Sequence, residues 1–237
     1  SYSTVCNTVR ELTNQAQEAY IKALYALGEV CEFDWGEVKL TIAGRLIKLQ
    51  IAVFTSAAGN YRYATLFLKQ DTACFLESHA KFFEHLGNVY KLMVYDNTRV
   101  AVKKLAGAEG EPTEALRQLS LYYGFKFRFC NINAGNEKGH VERSVEYVRR
   151  KAFAHKSTFN SLAEANEFLA KTCSRLNAKP QKGLNDKTAI DILELERPHL
   201  LPNLPPYDAA RITELRVNKY SVITVDNCYY SVPDKYV

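Results

Sequence analysis

Three acidic residues of this chain lie where their carboxylates could share one site. Asp34 lies inside an apolar, strand-like run, Asp96 directly follows the apolar residues 92–95, and Glu142 lies in the first turn of a predicted helix. Three neighbouring carboxylates repel one another unless a cation compensates their charge. Hard oxygen ligands suit Mg²⁺ or Mn²⁺, and a pair of such ions activates a nucleophile and stabilises the leaving oxygen in phosphoryl transfer. The three residues therefore indicate metal-assisted chemistry at phosphorus.

Each acid taken alone has a simpler interpretation. Asp34 could be a charge on an edge strand, and Asp96 with Asn97 forms a pair that is common in turns. Glu142 could be an ordinary favourable charge near a helix N-terminus. Only the conjunction of the three, each at the appropriate place in its element, favours the metal site.

The elements that would position these acids follow from hydrophobic periodicity. Alternation predicts three strands over 30–38, 40–54 and 61–68, forming an antiparallel meander punctuated by Gly36 and Gly44. The elements predicted next are a helix over 72–86, a strand over 91–95, a helix from Pro112 to 123, a strand over 125–130 and a helix over 139–154. The order β-β-β-α-β-α-β-α predicts an α/β fold with a mixed five-stranded sheet flanked by helices. If the first and fourth strands are neighbours, Asp34 and Asp96 meet and Glu142 can close over them.

The chain divides into four predicted regions. Residues 1–28 read as a lead-in linker helix, with apolar spacing over 7–27, and residues 29–156 as the catalytic core. Residues 157–206 form a helical segment ending in a Pro-rich linker, and residues 207–237 the start of a small C-terminal β domain. Both ends read as cut, so we expect a fragment of a longer protein.

Composition excludes several classes of protein. The 237 residues are 47 % hydrophobic with a net charge of +5, and no apolar run approaches the roughly 20 residues of a membrane span. The six cysteines stand singly, without a C-x-x-C pair, which argues against a zinc ribbon and favours a reducing, cytoplasmic compartment. No phosphate-binding P-loop motif occurs, so the chain is not itself an ATPase. His79, within a chance S-x-x-K match, and His85 are expected to be packing or surface residues.

Basic residues concentrate around the third acid. Residues 138–156 contain six Lys or Arg against two acids, whereas residues 1–37 contain two basic and six acidic residues. A basic helix beside an acid cluster is where a phosphate backbone would run, although a solvated helix face is the alternative. The candidate DNA-contacting residues are Lys138, Arg143, Arg149, Arg150 and Lys151. A second basic stretch, residues 171–187, is a weaker candidate.

Several segments, taken together, resemble one known family. They are residues 32–37 (EFDWGE), 94–97 (VYDN), 123–125 (YGF), 138–145 (KGHVERSV), 147–153 (YVRRKAF) and 230–233 (YSVP). They resemble the catalytic core of IstA-type bacterial insertion-sequence transposases, members of the DDE transposase and retroviral-integrase superfamily. The resemblance covers nearly the whole chain. It implies a ribonuclease-H-like fold, with Asp34, Asp96 and Glu142 as the catalytic and metal-binding triad.

The resemblance also implies an activity and partners. The expected reactions are cleavage at transposon 3′ ends and transfer of the freed strands into target DNA, using two Mg²⁺ or Mn²⁺ ions when DNA is bound. The expected partners are both DNAs, further copies of the protein on DNA and an AAA+ ATPase helper, in a bacterial, nucleoid-associated setting. Two alternatives share the fold: a ribonuclease-H-like nuclease that hydrolyses without joining, and a catalytically idle DNA-binding or assembly module.

Overall fold

The computed structural model describes residues 25–96, 100–104, 110–130, 135–210, 214–225 and 227–233. Its longer strands are β1 (Val30–Ile42), β2 (Arg45–Ser56), β3 (Arg62–Phe67), β5 (Leu92–Tyr95), β8 (Lys126–Phe129), β11 (Val222–Val225) and β12 (Cys228–Ser231). Short strands are β4 (Asn88–Val89), β6 (Val102–Lys104), β7 (Glu111–Pro112), β9 (Thr158–Phe159) and β10 (Leu201–Pro202). The helices are α1 (Thr72–Leu86), α2 (Glu114–Tyr123), α3 (Gly135–Phe153), α4 (Leu162–Asn177) and α5 (Ala189–Glu196), with 3₁₀ turns at Lys182–Leu184 and Arg197–His199.

A mixed sheet forms the centre of the molecule, with strand order β3-β2-β1-β5-β8. The three consecutive strands β1, β2 and β3 pair antiparallel, whereas β5 and β8, which are reached through helices, pair parallel. The short strand β9 pairs with the far end of β1. The predicted mixed sheet of five strands with flanking helices is confirmed, as is the adjacency of the first and fourth predicted strands.

The first hairpin differs from the prediction at both of its glycines. Ala43 (φ 49°) and Gly44 (φ 78°) form a two-residue turn between β1 and β2, and left-handed conformations at both positions match the twist of a hairpin. Gly36, which we expected to punctuate the strands, instead lies inside β1. That prediction was wrong because glycine here serves a close contact described below. As a result β1 runs unbroken for 13 residues.

Apolar side chains fill both faces of the sheet. On one face α1 and α2 cover a core rich in aromatic rings, including Phe33, Phe54, Phe75, Phe83 and Tyr95. On the other face α3 and α4 cover aliphatic side chains, including Leu40, Leu49, Ile51, Val148 and Leu169. Helices on both faces explain why most of β5, the first four residues of β1 and the last eight residues of β2 are buried.

Two asparagines of α4 occupy the outer edge of β3. The side chain of Asn166 accepts a hydrogen bond from the amide of Leu66 (2.7 Å) and donates to its carbonyl (3.2 Å). Asn177 makes the same pair of bonds with the backbone of Arg62, at 2.9 and 2.8 Å. The two side chains thus satisfy backbone groups that an uncovered edge strand would offer to another chain.

The segment after α5 packs more closely against the core than a linker would. Residues 198–206 were predicted as a Pro-rich connector, yet β10 within them pairs antiparallel with β4. The Glu196 carboxylate is fully buried and accepts bonds from the Tyr90 hydroxyl (2.9 Å) and the Gly28 amide (3.3 Å). Burial raises the pKa of Glu196 above its ordinary value. These contacts fasten α5 to the core.

Several other predicted elements differ from the structure or lie partly outside the described residues. The helix expected over 7–27 falls outside the described residues up to position 24, and 25–27 are not helical. β6 and β7 lie between β5 and α2, and Pro112, which was predicted to begin a helix, belongs to β7, because Thr113 caps the helix that follows. None of the cysteines in the described part of the chain forms a disulfide. None of the described helices is long and apolar enough to span a membrane.

Candidate active site

Asp34 and Asp96 are neighbours across the two central parallel strands. The register of β1 and β5 ends at the pair Phe33–Tyr95, and Asp34 and Asp96 are the residues that directly follow this pair along the two chains. Side chains in register on adjacent strands point to the same face of a sheet. Both carboxylates are half-buried. The predicted meeting of these two acids is therefore built into the strand register.

One cleft of about 300 Å³ contains both carboxylates. Its lining residues are Asp34, Trp35, Asp96, Val145, Glu146 and Arg149. The Trp35 amide donates a hydrogen bond to Asp34 Oδ1 at 2.7 Å, which holds the carboxylate against its own strand. The last three lining residues belong to α3, so this helix forms the opposite wall of the cleft.

Close packing on β1 fixes the position of α3. A Cβ atom at Gly36 would collide with Val145 Cγ1 and would lie 3.1 Å from Ile51 Cγ2. Glycine therefore lets the helix approach the strand that carries Asp34. Immediately before Val145, the buried hydroxyl of Ser144 hydrogen-bonds that of Thr55 at 2.6 Å.

Arg62 supports the same helix from β3. Its guanidinium donates to the Asn60 carbonyl (3.1 Å) and to the Ser144 hydroxyl (3.4 Å), and it lies 4.9 Å from the centre of the Tyr147 ring. Burial lowers the pKa of Arg62, but arginine stays charged under all ordinary conditions. Polar bonds on one side and apolar packing on the other thus hold the cleft wall in place.

A substitution at Gly36 tests this packing. We expect Gly36→Ala to lower the free energy of unfolding by about 1–3 kcal/mol, because the added methyl group overpacks the contact with Val145. Urea unfolding of the single variant and of Gly36→Ala/Val145→Ala measures the effect, and the second substitution should recover part of the loss. Gly183→Ala is the control, since its Cβ meets nothing within 4 Å. Strictly additive losses in the double variant would contradict the contact.

Glu142 lies in α3 one turn before Glu146, but its side chain falls outside the described residues. The side chains of Lys138 and Arg143 also fall outside the described residues. Within the part of the chain whose side chains are described, no three His, Cys, Asp or Glu residues are grouped closely enough to hold a metal ion. The carboxylates of Asp34 and Asp96 are nevertheless the donor type that Mg²⁺ and Mn²⁺ prefer. They fit two of the ligands of such a site.

The three remaining basic candidates point to different sides of α3. Arg149 lines the cleft and donates to the backbone carbonyl of Glu37 at 3.1 Å. Lys151 lies 5.7 Å from the centre of the Tyr147 ring, on the flank that Arg62 supports, and Arg150 is exposed. Of these three, Arg149 is the one that lies in the cleft with the carboxylates.

Similar proteins give this geometry a context. No protein-family model matches the chain. It is 28 % identical over 245 residues to the transposase for insertion sequences IS1326/IS1353 of Pseudomonas aeruginosa, covering 100 % of this chain and 48 % of that protein. It is 29 % identical over 205 residues to the transposase for insertion sequence element IS21 of the same species, covering 86 % and 52 %. The chain is related to insertion-sequence transposases. It spans about half the length of these relatives.

Solved structures confirm the ribonuclease-H-like fold of this transposase-related chain. The HTLV-2 integrase catalytic core domain in complex with magnesium has a TM-score of 0.53 at 13 % identity, covering 73 % of this chain and 99 % of that one. A chain of the simian T-cell lymphotropic virus intasome in complex with the PP2A regulatory subunit B56 gamma has a TM-score of 0.56 at 14 % identity, covering 82 % of this chain and 63 % of that one. At these identities the likeness concerns the fold. The resemblance drawn from the sequence motifs is thus confirmed.

Sequence reasoning missed several residues that shape the cleft. Thr55 and Arg62, whose side chains contact α3, were not considered. Their contacts with α3 join residues more than 80 positions apart, and nothing local to either segment indicates them. Glu146 had a detectable signal, because it follows Glu142 by one helical turn on the same face.

Proposed function

We propose that this chain is the catalytic core of an insertion-sequence transposase that cleaves transposon DNA at its 3′ ends and joins them to target DNA. The observation that carries the proposal is the register of β1 and β5, which makes Asp34 and Asp96 neighbours in one cleft. The transposase relatives and the integrase-like fold support it. Glu142, from α3, is the proposed third acid.

The cleft suits an in-line displacement at phosphorus. In the first reaction water attacks the phosphodiester, the bond from phosphorus to the transposon 3′ oxygen breaks, and a 3′-hydroxyl is released. In the second, that hydroxyl attacks a target phosphodiester, whose own 3′ oxygen leaves. One phosphodiester bond forms for each that breaks in joining, so the exchange needs no external energy source.

Asp34, Asp96 and Glu142 are the residues that would hold Mg²⁺ or Mn²⁺. The bound cation supplies the Lewis acidity that attack at phosphorus needs, and two ions are proposed when DNA is present. Trp35 restrains one carboxylate through its amide, and Val145 closes the apolar side of the cleft. Arg149 places a fixed positive charge beside the carboxylates, where a phosphate must enter.

The remaining proposed contacts are those between basic side chains and DNA. We assign phosphate contacts to Lys138, Arg143, Arg149, Arg150 and Lys151. Paired transposon ends require more than one copy of the protein, and an AAA+ ATPase is the proposed helper for target selection. The proposed setting is the bacterial cytoplasm, in association with the nucleoid.

The proposal is tested with the full-length protein and labelled duplexes that carry the ends of its own element. With Mn²⁺ and a target plasmid, we expect nicks at the 3′ ends and covalent joining of the labelled strand to the plasmid. Product sizes on a denaturing gel separate the two reactions. Nicking without joining would support the nuclease alternative, and DNA binding without either reaction would support an idle assembly module.

A further inference from the structure

A second groove of about 380 Å³ adjoins the carboxylate cleft. It is lined by Glu37, Val38, Lys39, Lys48 and Arg149. Arg149 belongs to the lining of both, so the groove begins where the cleft ends. Neither lysine was among the residues that the sequence indicated for DNA contact.

The groove follows an open stretch of strand edge. On the side away from β2, β1 pairs with β5 only over Val30–Phe33 and with β9 only at Thr41 and Ile42. Between these two ladders, no described strand pairs with this edge of β1. The guanidinium of Arg149 donates to the Glu37 carbonyl there at 3.1 Å. This bond fixes a positive charge midway along the open edge.

Two lysines at the end of the groove away from the cleft, Lys39 and Lys48, repel each other and so destabilise the folded protein. Lys39 and Lys48 lie directly opposite each other in the β1–β2 ladder, and like charges in that arrangement are destabilising. Lys48 pairs with Glu37 at 2.8 Å, but both side chains are more than half exposed, and such pairs contribute only about 0–1 kcal/mol. Three cations against one carboxylate leave the lining positive. A bound anion would relieve this repulsion.

We infer that the groove binds the phosphate backbone of one DNA strand leading away from the reacting phosphate. This inference rests on the proposed function. Lys39 lies five positions after Asp34 in β1, and a strand rises about 3.3 Å per residue, so the backbone at the two ends of the path is about 17 Å apart. One strand of a duplex rises about 3.4 Å per nucleotide. Lys39 and Lys48 therefore contact phosphates about five nucleotides from the site of reaction.

The test is the double variant Lys39→Gln/Lys48→Gln of the full-length protein. Its affinity for DNA is measured against salt concentration, separately for the transposon-end duplex and for an unrelated target duplex. Each lost phosphate contact makes the slope of log affinity against log salt shallower by about 0.9, so we expect a change of about 1.8 for the DNA that occupies the groove. The duplex whose slope changes is the one bound there.

Lys91→Gln/Lys126→Gln is the matched control. Both lysines are exposed and lie at the amino ends of β5 and β8, the opposite end of the parallel strands from Asp96. This variant has the same net charge as the test variant. An equal decrease of the salt slope in both variants would therefore indicate a general effect of charge and would refute the proposal that the groove binds DNA. An unchanged slope for Lys39→Gln/Lys48→Gln on both duplexes would overturn it as well.

Phosphate ethylation interference locates the contact along the strand. We expect interference about five nucleotides from the reacting phosphate in the wild-type complex, and its loss in Lys39→Gln/Lys48→Gln. Glu37→Gln should act in the opposite direction and strengthen binding, because it removes the carboxylate that competes for Lys48. If wild-type protein joins DNA but these patterns are absent, the groove is refuted while the proposed function stands. If wild-type protein does not bind DNA, both fail.

Discussion

Exchange of Asp96 for Asn is expected to abolish both nicking and joining while DNA binding persists. Asparagine preserves the size of the side chain but removes the negative charge that the proposed cation site requires. A loss of about 4 kcal/mol of transition-state stabilisation corresponds to about a 1,000-fold lower rate. Binding should remain or strengthen slightly, since one negative charge leaves a cleft that receives phosphate. Gel assays of nicking and joining with Mn²⁺, beside a binding assay on the same duplex, measure both effects.

Two companion variants make this result specific. Asp34→Asn should behave like Asp96→Asn, because the β1–β5 register makes the two residues equivalent neighbours. Glu146→Gln is the control: it removes a carboxylate from the lining of the same cleft without touching the proposed triad. Activity near the wild-type level in Asp96→Asn would refute the assignment of the acids. Equal losses in all three variants would point to the overall charge of the cleft instead.

The sequence predicted what depends on local pattern. The adjacency of the strands that carry Asp34 and Asp96 was predictable, because each acid is marked by the apolar strand around or before it and the order of the elements implies which strands are neighbours. Gly36 was misinterpreted because its role depends on Val145, which approaches from a helix more than a hundred residues later. A glycine in a strand has the same local signal whether it ends the strand or admits a neighbour.

The C-terminal half also contains features that depend on contacts between residues distant in sequence and that the sequence did not predict. The prolines between 198 and 206 correctly indicated an irregular chain, but the pairing of Leu201 with Val89 depends on a strand edge that exists only in the folded protein. The asparagines at 166 and 177 give no sign in the sequence that they cover the edge of β3. Contacts of this kind arise from tertiary packing, which periodicity does not encode.

Acid is expected to destabilise this protein through one buried histidine. The His79 ring is fully buried among aromatic rings, with centroids 4.8 Å from Phe33 and 4.4 Å from Phe75. Its Nδ1–H donates to the Phe75 carbonyl (2.8 Å), and Nε2 accepts from the Tyr95 hydroxyl (3.0 Å). Both nitrogens are thus satisfied in the neutral form. Burial lowers the pKa of His79 to about 3. Of the two roles expected for this histidine, packing or surface, the structure shows packing.

The sign of the effect follows from proton binding. As the pH falls below about 6.5 the unfolded chain binds a proton at His79, whereas the folded chain does not until the pH approaches 3. The folded state therefore loses stability over this range, by up to about 1.4 kcal/mol per pH unit from this group alone. The stabilising contribution of the neutral ring is complete above pH 6.5.

Urea unfolding of wild type and His79→Gln at pH values from 7 to 4 measures this contribution. The variant is less stable at neutral pH because it loses aromatic packing, so the readout is the slope of unfolding free energy against pH. We expect the wild-type slope to be steeper by about one proton between pH 6 and 4. His85→Gln, on the same helix but with an exposed ring, should change the slope less. Equal slopes for wild type and His79→Gln would show that His79 has the same pKa in the folded and unfolded states.

This histidine also links acid stability to the cleft. Tyr95, its hydrogen-bond partner, is the last residue of β5 and directly precedes Asp96. Protonation of His79 removes the acceptor that holds the Tyr95 hydroxyl, at the end of the strand that positions the carboxylate. The folded chain keeps His79 neutral until the pH approaches 3, so wild-type nicking activity should decline together with folding as the pH falls. His79→Gln removes the ring that accepts from Tyr95 and should therefore nick DNA more slowly already at neutral pH. If folded His79→Gln nicks DNA at the wild-type rate at pH 7, the histidine supports the fold without positioning Asp96.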